Sequence, residues 1–155
     1  VSIKAFRIGR TEYAPSFFDG EGPFKYGGRW NSQGTRMVYT SESLALATLE
    51  IVVHFDAEQV RNSYSYAAVT IGQEYILPVE TFTELPGTWR DAPAPLQVQE
   101  IGDRWVRSGV SAVLKVPTAV LPEGYNYLIN IEHPDFSKLE CGVPKLLSLD
   151  ERLLN

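Results

Sequence analysis

Within 24 residues this chain gathers a glycine pair, a fixed cation, aromatic rings and one carboxylate: Gly27-Gly28-Arg29-Trp30-Asn31, then Tyr39, then Glu50. Two glycines let the backbone adopt positive φ and let a ligand come close. The planar fork of Arg29 matches phosphate or carboxylate, so the segment reads either as an anion-binding turn or as a turn carrying a structural arginine. Glu50 is the only charge in the run Leu44–Val53, L-A-L-A-T-L-E-I-V-V. A charge in an apolar run is costly to bury unless it is paired. It must meet a partner cation or a ligand. The nearest acid, Glu42, is eight residues back, so no glycosidase-type carboxylate pair forms on this segment. No Ser-His or Cys-His constellation accompanies it. A lone carboxylate beside arginines and an aromatic suits chemistry that builds positive charge on a sugar. There the anion stabilises an oxocarbenium-like centre or holds a ribose hydroxyl.

Three further positions, Arg7, Thr118 and Asn126, join this set, and Tyr39 within it has two readings. Arg7, at the end of the first apolar stretch, is either a surface residue or the second half of a pyrophosphate clamp with Arg29. Tyr39 is either core or a ring for stacking on a flat ligand, its hydroxyl free to hydrogen-bond; Tyr26, Trp30 and Tyr64 compete for that role. Thr118, after Val116-Pro117, either caps a turn or orients Glu50 or a ligand. Asn126, with Asn130 and His133-Pro134, reads as a polar strand-end or turn residue.

With 155 residues, 44% of them apolar and 21% charged, the chain suits one globular domain spanning 1–155. A net charge of −5 gives no general attraction to nucleic acid phosphates, although a local basic pocket for a small phosphate ligand is compatible with it. Cys141 is the only cysteine, and His54 and His133 are the only histidines. Neither an intrachain disulfide nor a transition-metal site is expected. No stretch reaches the length of a membrane span, and the opening Val-Ser-Ile-Lys-Ala-Phe-Arg lacks a signal-peptide apolar core. These features predict a cytoplasmic protein.

The elements that must position the set follow from patterning. Strands are expected at Ile3–Ile8, Arg36–Thr40, Tyr64–Ile71, Glu74–Leu77, Ala112–Val116, Tyr125–Ile131 and Val143–Leu149. Gly9–Gly34 reads as a long structured loop, and such loops are often functional. A helix is expected from Ser43 to His54, with Thr40, Ser41 and Ser43 as candidate caps. Being apolar on nearly every side, it should be central and buried. Leu85–Pro95 is a proline-rich loop. Gln97–Ser108 forms a second helix, stopped by Gly109. More strands than helices, without regular βα alternation, predict an α+β fold.

Several pieces, in order, resemble the RES domain, a family named for its Arg, Glu and Ser. They are Phe6-Arg7-Ile8, Gly27 to Gly34, Val38-Tyr39-Thr40-Ser41, Ala47-Thr48-Leu49-Glu50, Gly102-Asp103-Arg104-Trp105, Val116-Pro117-Thr118, and Asn126 to Asn130 with His133-Pro134-Asp135-Phe136. The resemblance spans essentially the whole chain. It implies a small α+β domain similar to the ADP-ribosyltransferase toxins, with a split, curved, mostly antiparallel sheet flanked by helices. It also implies a toxin of a bacterial toxin–antitoxin pair that attacks NAD as substrate rather than as a recycled cofactor. The products would be nicotinamide and ADP-ribose, or a phosphorylated ADP-ribose when inorganic phosphate is the acceptor. The alternatives are transfer of ADP-ribose to a protein and a non-catalytic antitoxin-binding domain. The expected partner is an Xre-like helix-turn-helix antitoxin, in a homodimer or a larger assembly. The family's functional set falls on Arg7, Arg29, Tyr39 and Glu50, with Asn31 beside them. Thr118 stands where the family has its serine, and Ile131 where it often has proline.

Overall fold

The structure, a computed structural model, describes residues 1–52, 63–150 and 152. An eight-stranded sheet runs through it. β1 (Ser2–Arg10) pairs antiparallel with β3 (Tyr64–Gly72) along its whole length. β2 (Val38–Ser41) pairs antiparallel with β6 (Tyr125–Ile129), which pairs with β5 (Val113–Pro117). β4 (Ile76–Pro78) lies parallel to β5. Two short strands, β7 (Glu140–Cys141) and β8 (Lys145–Leu147), complete the sheet on β3. The architecture is α+β with a mixed, mostly antiparallel sheet.

One junction is narrow. β1 and β2 share a single paired position, Phe6 opposite Ser41. The sheet thus has two halves, one built on β1 and β3 and one on β2, β6 and β5, joined at that point. Two of its buried side-chain sets differ in reach: Ala5, Val69, Ile71, Val113 and Ile129 form one that spans both halves, and Met37, Trp105, Leu114 and Leu128 form another around β2, β5, β6 and the helix over them.

α4 (Leu96–Ser108) is the longest helix and buries Val98, Ile101 and Trp105 at helical spacing; Gly109 ends it in the left-handed conformation, φ 63°. α2 (Leu44–Val52) begins where Ser43 Oγ accepts the Leu46 N–H at 3.0 Å. The expected continuation through Val53 and His54 lies outside the described residues. α2 is not the central helix its composition suggested. It packs on β1 and β2 and buries only Leu46 and Ala47, while Leu49 is 40% exposed. Apolar composition without a period does not say which side is covered.

The expected loop Gly9–Gly34 is more structured than predicted. β1 continues to Arg10, a 3-10 turn follows at Thr11–Ser16, and α1 occupies Glu21–Tyr26. Six residues are too few to show a period. Pro23 sits in the first turn, where a missing N–H costs nothing. α3 (Val79–Phe82) was likewise too short to foresee, and the last expected strand shrinks to β8. No helix among the described residues is long and apolar enough to cross a membrane, and no group of three potential metal ligands occurs among them.

Candidate active site

A cavity of about 840 Å³ opens beside the narrow junction, a volume typical of small-molecule sites. It brings together Arg7 from β1, Arg29 from the glycine turn, Tyr39 from β2, Glu50 from α2 and Asn126 from β6, together with Arg90. Among the described residues its charged lining is three arginines and one carboxylate, in a chain whose net charge is −5. The local sign is opposite to the global one.

Glu50 is half-buried, and one of its oxygens is fixed. Oε1 accepts from Thr118 Oγ1 at 2.6 Å and from Asn126 Nδ2 at 2.8 Å. Thr118 follows β5 and Asn126 lies in β6, which are antiparallel neighbours, so the two donors arrive together. Thr118 is itself fixed, its oxygen accepting the Val120 N–H at 3.1 Å. It is buried and does not line the cavity. Of the two roles the sequence left open, orienting Glu50 is the one the geometry provides. Asn126 was undervalued as a strand-end residue. It lines the cavity and holds the carboxylate, and its position opposite Val116, two residues before Thr118, was visible only once the β5–β6 register was known.

Arg7 is nearly without a partner. Nη1 donates to the Tyr39 carbonyl at a long 3.4 Å, Nε is buried with no acceptor, and the guanidinium lies 5.7 Å from the Phe17 ring centroid. No carboxylate pairs with it among the described residues. Burial lowers its pKa, an effect that the charge of Asp19 partly opposes. A desolvated cation with unfilled donors is an anion site in waiting.

Arg29 is more occupied than the sequence suggested. Its Nη1 donates to the carbonyls of Trp89 and Asp91, both at 2.9 Å. It ties the proline-rich segment to the glycine turn. Arg90, from that segment, reaches the other way: its Nη2 donates to the carbonyls of Ala119 and Leu121 at 3.2 and 2.9 Å. The two arginines strap the segment across the cavity. Arg90 was missed because a lone arginine in a loop carries no periodic or motif signal.

Two expectations are corrected. The Tyr39 hydroxyl is not free: it accepts the Trp30 N–H at 2.9 Å and donates to Asn31 Oδ1 at 2.7 Å. Burial pushes its pKa well above the ordinary tyrosine value. Its ring still lines the cavity. Asn31 is fully buried and not in the cavity; its Nδ2 donates to the carbonyls of Pro23, Ser32 and Thr35 at 2.9, 3.0 and 3.0 Å. It shapes the turn and positions Tyr39 instead of meeting a ligand. Asn130 and His133 bond to the carbonyls of Val106 and Gly109, away from the cavity.

α4 is the platform for the turn. Gln99 Nε2 donates to the Gly28 carbonyl at 3.0 Å, and Asp103 accepts from the Ser32 N–H at 3.0 Å and the Ser32 hydroxyl at 2.6 Å. Between them Gly102 lies so close to the Trp30 carbonyl that a Cβ would overlap it. Gly28 faces the Tyr39 hydroxyl in the same way, a Cβ there falling 2.6 Å from it.

The RES domain family model matches residues 4–150. The chain is 32% identical over 149 residues to "Toxin Res" of Yersinia enterocolitica, covering 96% of this chain and 97% of that protein. It is also 32% identical over 144 residues to "Prs ADP-ribosylating toxin" of a Sphingobium species, covering 92% and 89%. Its fold is similar to a chain in the crystal structure of the M. tuberculosis MbcT–MbcA toxin–antitoxin complex: TM-score 0.78, 15% identity, 96% of this chain and 85% of that one.

Proposed function

The chain belongs to the RES domain family, and on that premise we propose that it is the toxin of a bacterial toxin–antitoxin system that cleaves the nicotinamide–ribose bond of NAD. The observation that carries this reading is the charge pattern of the cavity: three arginines around one fixed carboxylate. NAD presents the complement, a negatively charged diphosphate and a ribose that becomes cationic as the bond to nicotinamide breaks.

Arg7 faces the diphosphate, with Arg29 and Arg90 exchanging backbone carbonyls for phosphate oxygens. The Tyr39 ring is the apolar surface near the nicotinamide. As the C1′–N1 bond lengthens, its electron pair moves onto the pyridinium nitrogen and nicotinamide leaves neutral, so no strong general acid is required. Positive charge on C1′ is met by Glu50. Thr118 and Asn126 hold one oxygen of Glu50 in place beforehand, so that little reorganisation is needed when the charge develops. Water or inorganic phosphate then captures C1′, giving ADP-ribose plus a proton, or phosphorylated ADP-ribose.

A second reading is supported by the Sphingobium relative, whose name describes an ADP-ribosylating toxin. There a protein side chain replaces water or phosphate as acceptor, and the steps up to the cation are the same. A NAD-consuming toxin needs neutralising in the cytoplasm that makes it. The fold's likeness to a chain from a toxin–antitoxin complex supports an antitoxin partner, proposed to be of the Xre-like helix-turn-helix class.

The test is NAD consumption by the purified chain with and without phosphate, products identified by mass spectrometry, for wild type and Glu50→Ala. Nicotinamide release by wild type alone supports cleavage, and the second product names the acceptor. Absence of turnover in both, with a labelled protein in cell extract, moves the conclusion to the second reading.

A further inference from the structure

Residues 83–95 join α3 to α4 without a helix or strand of their own, and Arg90, Ala92, Pro93 and Ala94 of this segment line the cavity. Among the described residues, the backbone bonds made between Glu84 and Ala94 close only the segment's own turns: Trp89 N–H to the Pro86 carbonyl at 3.0 Å and Asp91 N–H to the Thr88 carbonyl at 2.9 Å. Its polar ties to the rest of the described protein are the two arginines. Arg29 takes the carbonyls on either side of Arg90, and Arg90 takes those of Ala119 and Leu121. We infer that this segment is an autoinhibitory strap: its latch and a diphosphate compete for the same two guanidiniums, so that binding the diphosphate releases it. The inference rests on the reading of the cavity as the site that receives the diphosphate of NAD.

The chemistry of the latch carries the argument. Each guanidinium spends a single terminal nitrogen on two neutral carbonyls. Phosphate oxygens offer the planar fork a charged, bidentate partner, and such bonds are about twice as strong as neutral ones. Both arginines line the cavity where that partner arrives. Arg90 is exposed, so water already competes for its bonds and this half of the latch yields easily. Exchange removes the polar ties of the strap together. Apolar contact then remains: Leu85 and Trp89 pack against the cluster that holds Trp30 and Trp105, with the Trp89 ring 6.3 Å from that of Trp30. Trp30 and Trp105 are 2% and 0% exposed, whereas Trp89 is partly exposed, so the strap carries its own reporter. The coupling is reciprocal, and whatever loosens the strap strengthens the hold on the diphosphate.

The experiment uses inorganic pyrophosphate as the probe. Its binding is measured by calorimetry, and acrylamide quenching of tryptophan fluorescence is read with and without it, for wild type, Trp89→Phe and Trp89→Ala. Pyrophosphate is expected to bind wild type and to raise its quenching, as Trp89 swings into water. Quenching of Trp89→Phe should not respond, because Trp30 and Trp105 stay buried. Trp89→Ala removes the apolar tether and keeps the backbone carbonyl that Arg29 holds. It is expected to bind pyrophosphate about twofold to tenfold more tightly than wild type, the scale of one lost aromatic contact; a merely structural role for Trp89 predicts weaker binding. No pyrophosphate binding by wild type, quenching that is unchanged or reduced on binding, or binding by Trp89→Ala no tighter than wild type each overturns the inference. If wild type cleaves NAD in that case, the cleavage reading stands without the strap. If quenching and affinity respond as expected but NAD is not cleaved, the strap stands as a device for a diphosphate ligand and the cleavage reading falls.

Discussion

Thr118 Oγ1 donates to Glu50 Oε1 at 2.6 Å, across 68 residues of sequence. This bond makes a side chain from the end of β5 the rudder of a carboxylate on the helix that packs over the junction of β1 and β2. Threonine serves here because only the hydroxyl is used, and its methyl packs within 3.3 Å of where a Gly124 Cβ would stand. Thr118→Ser should therefore retain near-normal turnover. Thr118→Val, which keeps the shape and removes the donor, should lower kcat on the order of tenfold to a hundredfold, the consequence of about 1–3 kcal/mol of lost hydrogen bonding to a charged group. Steady-state NAD consumption separates the two.

Glu50→Gln should act on the chemistry and spare binding. The amide oxygen can still accept from Thr118 and Asn126, but the charge proposed to meet the ribosyl cation is gone. We expect kcat to fall on the order of a hundredfold to a thousandfold. NAD affinity, measured by calorimetry, should stay close to wild type. A matching loss of affinity would mean that Glu50 holds the ground state instead.

Arg7→Met should separate stability from function. The guanidinium has one long hydrogen bond and a buried Nε without an acceptor. Removing it relieves a desolvated charge, so the thermal midpoint should be equal to or above that of wild type. NAD binding should weaken by about tenfold or more, the scale of a lost charge-assisted hydrogen bond. A variant that unfolds earlier would show that Arg7 supports the sheet junction.

Tyr39→Phe leaves the Trp30 N–H and the Asn31 carbonyl oxygen without their partner, which should cost about 2 kcal/mol of stability. The same hydroxyl sets an alkaline limit. Its pKa is raised in the folded state by burial. Ionisation begins first in the unfolded chain, near the ordinary value of about 10. Stability from this group is unaffected below that pH and declines as pH rises past it. Denaturant unfolding between pH 8 and 11 should show that decline in wild type and a weaker one in Tyr39→Phe.

Gly102→Ala should be severe, because its Cβ would overlap the Trp30 carbonyl. Either the glycine turn lifts from α4 or the helix shifts, and Arg29 moves with the turn. Lower thermal stability together with a raised KM for NAD is the expected outcome.

What the sequence disclosed was the identity of the chemistry-bearing residues and the strands with strong β composition. β3 and α4 were legible because their patterns are long. α1 and α3 were not, having too few residues to repeat anything. The burial of α2 was misread because apolar residues all round a helix look the same whether neighbours cover them or not. Asn31 was recognised as important, but as a ligand contact, and the Tyr39 hydroxyl was taken as free when Trp30 and Asn31 occupy it. A local sequence cannot tell a side chain that meets a ligand from one that holds its neighbour. Asn126 and Arg90 lay hidden for a different reason, since each acts on a segment remote from it in the chain.

The same separation in sequence bears on synthesis. A ribosome that has delivered β1 through α2 has already made Arg7, Arg29, Tyr39 and Glu50. Thr118 and Asn126, which aim the carboxylate, are still unmade. At about 5–20 residues per second, several seconds pass between the acid and its two donors. An interrupted chain of this protein carries the acid with nothing to point it, so the full hazard to the cell arises only when the last third of the sequence has been translated and has folded back onto the first.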